Sequence, residues 1–362
     1  MTLLISSEDL LRAPKVVLHD HLDGGLRPSS MIEMAEAAGY KGLPFYEEEA
    51  LASWFVEACS SGTLELYLET FEHTIALMQT QEQIIRVARE CVLDHARSGV
   101  VYAEVRGAPE LFVRAGLNLN QVIEATTEGF NQGMAEANSE GFKIRVEGLL
   151  CALRQNQVSF EIAELVAKYQ GKGVVGFDIA GPEAGFPPTD HLKAFDYLRE
   201  MGIPYTIHAG EAFTVESIEL ALHACHANRI GHGIRLIDDI AFLDGGVQLG
   251  ALAQEILDRK IPLEMAPTSN LQTGGAQSYA THQIGVMKKL GFTVTINTDN
   301  RLMSRTSMLR ECEEIADGYN WTLTDLKDVA ENAINGAFIS EDERKDILHN
   351  QIRATFSHLG AR

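Results

Sequence analysis

Positive charge is scarce in this sequence. Lysine and arginine together number 30 against 51 aspartates and glutamates, and the formal net charge of the 362 residues is −21. Nucleic acids and anionic membrane surfaces are bound largely through basic patches, because their phosphates attract cations. We therefore expect the protein to bind neither nucleic acid nor a membrane.

Cysteine is also rare, and long apolar runs are missing. The five cysteines are Cys59, Cys91, Cys151, Cys225 and Cys312; none forms a CxxC pair, and an odd number cannot pair fully within one chain. We expect reduced and mostly buried thiols. The first residues lack the basic segment and apolar core of a secretory signal, and no apolar run approaches the length needed to span a bilayer. These absences favour a cytoplasmic location.

Linkers rich in proline, glycine or serine do not interrupt the chain. Instead, short runs rich in β-branched residues alternate with longer helix-like stretches. The eight strand candidates lie at 15–19, 100–106, 143–151, 174–180, 204–209, 229–233, 261–266 and 292–298. Strands that alternate with helices are typical of parallel βα units, so we predict a single α/β domain over residues 1–362.

The segment 81–99 shows the helical part of this repeat. Its apolar stripe consists of Ile84, Ile85, Ala88, Cys91, Val92 and His95. The helical pattern stops at Gly99, and a strand candidate follows at once. Eight such units can close into a (β/α)8 TIM barrel, but the same units also build an open doubly wound sheet. The repeat alone leaves both folds open.

Polar residues at the strand ends favour the barrel. The strand candidates end in or just before His19 and His21, Gly181, His208 and Glu211, His232, Glu264, and Asp299 and Asn300. A closed barrel brings all the carboxyl ends of its strands around one mouth, where active sites of this fold lie, whereas an open sheet spreads them along a line. Groups suited to metal binding and proton transfer would then converge.

The pair His19 and His21 is the first of these candidate ligands. Side chains two residues apart on a strand point to the same face, with Cα atoms roughly 6–7 Å apart, so both imidazoles can reach one ion. Together with His208 and Asp299 they form a set of three nitrogens and one carboxylate, which suits zinc. We predict one zinc ion per chain, with one coordination position left for water.

Zinc held by a single carboxylate keeps net positive charge and lowers the pKa of bound water toward about 7. Glu211 is then a candidate general acid; the alternative is that it caps a following helix. His232 is a candidate base or electrostatic partner of the water; the alternative is an ordinary core histidine. Glu264 is expected to orient His232 from behind.

Six motifs resemble those of the adenosine deaminases of the metal-dependent amidohydrolase superfamily in order and spacing. They are HDHLDG at 19–24, VVGFDIAGPE at 174–183, IHAGE at 207–211, RIGHG at 229–233, MAPTSN at 265–270 and NTD at 297–299. The resemblance spans nearly the whole chain. It implies zinc-dependent hydrolytic deamination of a small nucleoside, adenosine and 2′-deoxyadenosine, to inosine or deoxyinosine and ammonia in purine salvage.

The resemblance also implies roles for individual residues. His19, His21, His208 and Asp299 look like the zinc ligands, with His21 also facing the substrate. Glu211 would protonate purine N1, while His232 and Asp299 would contact the attacking hydroxide. The Gly181 N–H would donate to N3, and Asp23 would hold the ribose 5′-hydroxyl. Extra helices between the first and second strands would form a lid, with Leu64, Tyr67, Leu68 and Phe71 over the base.

Two departures from the family pattern leave the substrate open. Asn300 stands where most relatives have a second aspartate, followed by Arg301 in place of proline; an asparagine can donate to purine N7 without first binding a proton. The stretch 105–111 also differs, and Arg106 there is interpreted as structural. The alternatives are an adenine deaminase, in which glutamate typically replaces Asp23, a modified-adenosine deaminase, or an inactive zinc-binding relative.

Overall fold

Eight parallel strands form the centre of the molecule, seen in a computed structural model that describes residues 5–60 and 62–361. Neighbouring strands pair in the order β1 (Lys15–His21), β2 (Val100–Gly107), β3 (Arg145–Leu153), β4 (Val174–Ala180), and in a second run β5 (Thr206–Ala209), β6 (Arg229–His232), β9 (Leu263–Met265), β10 (Val294–Ile296). Parallel bridges from Phe177 to Tyr205 and from Asp20 to Asp299 join the two runs at both edges. The sheet is therefore a closed barrel, and all eight predicted strands are confirmed.

Helices connect the strands and surround the barrel. They are α1 (Ser7–Arg12), α2 (Pro28–Ala38), α3 (Glu48–Cys59), α4 (Leu64–Glu69), α5 (Phe71–Ala76), α6 (Gln81–Arg97), α7 (Leu119–Ser139), α8 (Ser159–Tyr169), α9 (Leu192–Glu200), α10 (Val215–Glu219), α11 (Ala251–Arg259), α12 (Pro267–Gln272), α13 (Gln283–Leu290), α14 (Met308–Tyr319), α15 (Leu323–Gly336), α16 (Glu341–Ile347) and α17 (Ala354–His358). The predicted extra helices between the first two strands are α2 to α5. Within the described ranges, no helix combines the length and apolarity needed to cross a bilayer.

The predicted helix at 81–99 is α6, and its ends have local causes. Thr80 and Gln83 form a reciprocal capping box at the start. At the other end Gly99 adopts a φ of +79°, a conformation that glycine reaches without steric cost, and β2 follows directly. Cys91 and His95 on the apolar stripe are buried against the barrel, and the five cysteines are free and buried as expected.

A two-stranded antiparallel hairpin was not predicted from the sequence. It consists of β7 (Ile240–Leu243) and β8 (Gly246–Leu249), joined by Asp244 and Gly245, and it lies outside the barrel sheet. An Asp-Gly pair between apolar residues is a common hairpin signal, so a local cue was present. Phe242 and Leu243 are more than half exposed, so the burial pattern that marks the barrel strands is absent here.

One strand of the barrel shows how the fold divides its polar residues between two sides. His19 and His21 point to the same side of β1, toward the other strand ends. Asp20 points to the opposite side, where its carboxylate lies 3.2 Å from His95 of α6 and 3.0 Å from the Arg301 guanidinium. The alternation of side chains along a strand therefore places the candidate ligands inside the barrel and their intervening aspartate against the helix layer.

Glu311 of α14 is a fully buried carboxyl group away from the strand ends. It accepts hydrogen bonds from the Thr268 N–H at 3.1 Å and the Thr306 hydroxyl at 2.5 Å, and burial raises its pKa to about 7. In the unfolded chain the pKa is near the ordinary 4.5. The folded protein therefore holds an extra proton between these values, and its stability falls as the pH rises from about 4.5 to about 7.

We expect Glu311→Gln to remove this pH dependence, because glutamine has no charge to bury. The free energy of unfolding of the unaltered protein, measured in urea, should include a loss on the order of 3 kcal/mol between pH 5 and pH 8 that the variant lacks. An identical pH dependence in the two proteins would show that Glu311 does not bind the extra proton.

Candidate active site

Four histidines and one aspartate converge at the carboxyl ends of the barrel strands. The His21 Nε2 lies 3.1 Å from the His208 Nε2. The Asp299 Oδ1 lies 3.3 Å from the His19 Nε2 and 3.5 Å from the His21 Nε2. The ring of His232 lies 4.7 Å from that of His19, measured between centroids. The structure thus brings all four predicted ligands and His232 to one point.

The backbone at this point is tightly specified. Gly231 of RIGHG lies between two of the histidines: a Cβ there would sit 3.0 Å from the His208 Cα and 3.2 Å from the His19 Cε1, so a side chain would push the ligands apart. His232 and Asp299 have φ values of +61° and +56°, which non-glycine residues seldom adopt. Such strained positions persist where the surrounding structure holds them, and they are frequent at functional sites.

The donor atoms fit a divalent cation. One ligand atom each from His19, His208, His232 and Asp299 lies within 4.8 Å of all the others. The His19 Nε2 is buried without a hydrogen-bond partner. Burial lowers the pKa of His21 to about 3 and lowers that of His208, so these imidazoles are neutral, the form that binds metal. The cluster is therefore a candidate metal site.

Two of these histidines are oriented by buried carboxylates. The Glu264 Oε2 lies 3.0 Å from the His19 Nδ1, and Asp178 lies 3.2 Å from the His208 Nδ1. Arg106 joins the two carboxylates, at 2.7 Å from Asp178 and 3.0 Å from Glu264. A carboxylate that accepts from Nδ1–H leaves the Nε2 lone pair directed at the metal. Although burial opposes ionisation, His208 and Arg106 hold the pKa of Asp178 well below its usual range.

The contacts of Glu264 differ from the prediction, and those of Arg106 extend it. Glu264 was expected to orient His232, but it lies against His19, because β9 and β6 pair in a register that directs Glu264 toward the Arg106 and Arg229 side of the barrel. Arg106 is structural as predicted, and its position behind the ligands ties two of them together. Asp178 was missed, although it lies within the motif VVGFDIAGPE.

Glu211 is positioned beside the histidine cluster. Its Oε2 lies 3.5 Å from the His232 Nε2, and the side chain is buried. Burial raises the pKa of Glu211 well above its usual value, and the negative charges of Asp299 and Glu183 add to this effect. The protonated form of the side chain, which can donate, is therefore favoured relative to that of an exposed glutamate. It does not cap α10, which begins at Val215.

Glu183 holds the loop that carries Glu211. Its two oxygens accept the backbone N–H groups of four consecutive residues, 210–213, at 2.7 to 3.1 Å, and also the Ser217 hydroxyl at 2.8 Å. A single buried carboxylate therefore satisfies five donors, four in the loop that precedes α10 and the fifth, Ser217, within that helix. The sequence reading missed this residue, since a glutamate in a motif does not reveal which donors surround it.

We expect Glu183→Gln to destabilise the protein and to displace Glu211, because an amide presents only one acceptor oxygen to these five donors. The free energy of unfolding in urea should fall by about 3 kcal/mol. Glu164→Gln on α8 changes the same groups at an exposed position and should leave stability within about 0.5 kcal/mol. Equal stability of the two variants would mean that the loop does not depend on the Glu183 charge.

A cavity of about 180 Å³ opens onto the histidine cluster. Its polar lining includes His21, Asp23, Glu211 and Asn300, and its far wall includes side chains of α4 and α5. Every residue predicted to contact substrate lines this cavity: His21, Asp23, Leu64, Tyr67, Leu68, Phe71, Gly181 and Asn300. Among the described residues, no lysine or arginine lines it. The cavity is therefore an uncharged or acidic pocket with an apolar cover.

A closed parallel barrel that gathers histidines and an aspartate at its strand ends places the protein among the α/β-barrel proteins with a candidate metal site at the mouth of the barrel. Three solved structures share the fold over at least 96% of the chain. The chain belongs to the adenosine deaminase family, whose profile matches residues 14–354.

Individual relatives agree with this assignment. Adenosine deaminase 1 of Streptomyces coelicolor is 52% identical over 98% of this chain and 90% of its own length, and adenosine deaminase of Mycobacteroides abscessus is 48% identical over 99% of both. The solved structures are more distant. Adenine deaminase of Arthrobacter aurescens has 22% identity and a TM-score of 0.81, covering 96% of this chain and 99% of its own. A zinc-bound amidohydrolase of Burkholderia ambifaria has 22% identity and a TM-score of 0.83 (99% of this chain, 96% of its own), and the N6-mAMP deaminase of Arabidopsis has 24% identity and a TM-score of 0.80 (97% of this chain, 99% of its own). At these identities they show the fold alone.

Proposed function

We propose that this protein is a zinc-dependent adenosine deaminase, a single domain that converts adenosine and 2′-deoxyadenosine to inosine or deoxyinosine and ammonia in purine salvage. The observation that carries the proposal is the placement of the buried Glu211, whose pKa is raised, beside the histidine cluster in a cavity whose described lining has no cationic side chain. The curated adenosine deaminases at about half identity over the whole chain support the same reaction.

His19, His21, His208 and Asp299 would hold the metal. The carboxylates behind His19 and His208 fit this role, because they leave each Nε2 free to bind. When bound, zinc would acidify a water molecule and so supply a nucleophile near neutral pH.

The chain's own residues account for the remaining chemistry. Glu211 gives its proton to purine N1 while the water oxygen bonds to C6 and Asp299 accepts a proton from that water. His232 donates a hydrogen bond to the attacking oxygen. The amine on the tetrahedral C6 then takes up the proton held by Asp299 and leaves as ammonia, while the C6 hydroxyl proton returns to Glu211 as the C6=O bond forms. Each proton transfer thus has a named donor or acceptor within the cluster.

The cavity favours a nucleoside over a nucleotide or a free base. Asp23 would accept the ribose 5′-hydroxyl, and the Gly181 N–H would donate to N3. Burial raises the pKa of Asp23 to about 7, so this side chain is a partly ionised carboxyl group near neutral pH. A 5′-phosphate placed beside it would find no cationic side chain in the described lining. A free base would leave Asp23 buried without its hydroxyl partner.

Asn300 is proposed to donate to purine N7. Its amide oxygen packs against Gly24 of HLDG, where a side chain would overlap it, so the amide nitrogen remains as the donor. We expect Asn300→Asp to bind adenosine with a KM that rises with pH, because only a protonated carboxyl group can donate to N7. The unaltered protein should show no such rise, and kcat should change less than KM. Parallel KM profiles from pH 6 to 9 would show that residue 300 does not contact N7.

The substrate is tested by following the absorbance change of zinc-loaded protein with adenosine, 2′-deoxyadenosine, adenine and AMP in parallel. We expect the first two to be turned over far faster than the others. Preference for adenine or AMP would replace the proposal with deamination of the base or of a nucleotide. Stoichiometric zinc without release of ammonia from any of the four would identify an inactive zinc-binding relative.

A further inference from the structure

A chain of three buried side chains runs from the histidine cluster to the start of α13. The Asn270 Nδ2 lies 3.1 Å from the His232 Nδ1, and the Asn270 Oδ1 lies 3.2 Å from the His282 Nε2. At its far end, the His282 Nδ1 accepts the Ile284 backbone N–H at 3.1 Å. His282 and Asn270 are fully buried, and His232 is 1% exposed.

The direction of every hydrogen bond in this chain follows from its last member. A backbone N–H can only donate, so the His282 Nδ1 carries a lone pair, and the proton of this neutral imidazole is on Nε2. Burial lowers the pKa of His282 to about 3, which agrees with a neutral ring. The His282 Nε2–H donates to the Asn270 oxygen, and the Asn270 amide nitrogen then donates to the His232 Nδ1. A reversed Asn270 amide would require His282 to lack both ring protons.

We propose that Asn270 and His282 are positioning residues that keep the proton of His232 on Nε2, directed into the site. His232 is then a hydrogen-bond donor beside Glu211 and is not a metal ligand, since a nitrogen that carries a proton has no lone pair for a cation. The catalytic consequence rests on the proposed deaminase function, whereas the position of the proton does not.

The same reasoning separates His232 from its neighbours. The Nδ1 atoms of His19 and His208 face the carboxylates of Glu264 and Asp178, which can only accept while ionised. Each of those rings therefore carries a proton on Nδ1, and in its neutral form keeps the lone pair on Nε2. The Nδ1 of His232 faces an amide nitrogen, which can only donate. Of the five converging side chains, His232 is thus the one that cannot be a metal ligand. The remaining ligand position therefore belongs to His21.

The proton position can be measured directly. In zinc-loaded protein labelled with ¹⁵N-histidine, imidazole nitrogen shifts distinguish a protonated ring nitrogen from one with a lone pair, and the His232 signals are assigned by their loss in His232→Gln. We expect a protonated Nε2 and an unprotonated Nδ1 for His232 in the unaltered protein. A proton on Nδ1 of His232 in the unaltered protein would overturn the proposal, whatever the substrate proves to be.

Asn270→Asp tests the cause of this preference at nearly constant shape. An aspartate accepts where the amide donated, so the proton of His232 should move to Nδ1, and kcat should fall at least tenfold with KM changed less than threefold. Asn138→Asp, exposed on α7, adds the same charge and should leave the His232 shifts and kcat unchanged. Unchanged His232 shifts in folded Asn270→Asp would show that Asn270 does not set the proton. Changed shifts without adenosine turnover in any protein would contradict only the deaminase function.

Discussion

Glu211→Gln is expected to bind zinc as the unaltered protein does and to lose nearly all turnover of adenosine. Glutamine keeps the size and one acceptor of glutamate but has no acidic proton. General acid catalysis by a positioned side chain contributes about 10²- to 10⁴-fold to rate, so kcat should fall within that range. The measurement is kcat from initial rates together with zinc per chain from elemental analysis.

The control and the contrary result for this variant are well defined. The control is Glu219→Gln, which makes the same change at an exposed position on α10. This variant should keep full activity. Retention of most of the rate by Glu211→Gln would assign the acid elsewhere. A loss of zinc together with activity would mean that Glu211 stabilises the metal centre and that its effect on rate cannot be ascribed to proton donation.

His21→Ala is expected to lose zinc, and with it activity. The His21 Nε2 lies close to both the His208 Nε2 and Asp299, and removal of a ligand leaves three donors for the ion. Because loss of a residue that merely supports a ligand commonly weakens metal binding 10- to 100-fold, we expect zinc affinity to fall by at least about 100-fold. Competition with a coloured chelator measures this affinity directly.

His232→Gln is the variant to compare with His21→Ala, because His232 and His21 lie within the same cluster. If the proton of His232 is on Nε2, this variant should retain zinc with an affinity within about tenfold of the unaltered protein while activity falls. The reverse outcome, tight zinc in His21→Ala and weak zinc in His232→Gln, would place His232 among the ligands. The pair of variants therefore decides between two ligand sets that proximity alone leaves equivalent.

The barrel strands were predictable because nearly all their residues are buried and they form short, largely apolar runs between helical stretches. The hairpin β7–β8 escaped prediction for the opposite reason: its side chains are mostly exposed, so no burial pattern sets it apart from a loop. The helix boundaries at Thr80 and Gly99 follow from short-range capping and backbone preferences, which act within a few residues.

Among the residues of the site, those close together in the sequence were predictable and those that support one another from distant positions were not. His19 and His21 are two apart on one strand, so their shared direction is a local property. Asp178, Glu183 and Asn270 each act on a residue from another strand or loop, at separations of 27 to 38 positions along the chain. No periodicity or motif connects such pairs, because the contact depends on how the barrel closes and which strand lies next to which.

The amino-acid sequence alone was enough to predict the eight strands and to point to the candidate ligands and the candidate general acid, since these depend on side-chain type and on spacing within single elements. Closure of the barrel decided everything that depends on direction: that Glu264 supports His19, that Asp178 supports His208, and that an amide faces His232. The reason is physical. A side chain's type states which atoms it can offer, but whether each atom donates or accepts depends on the partner that folding places beside it.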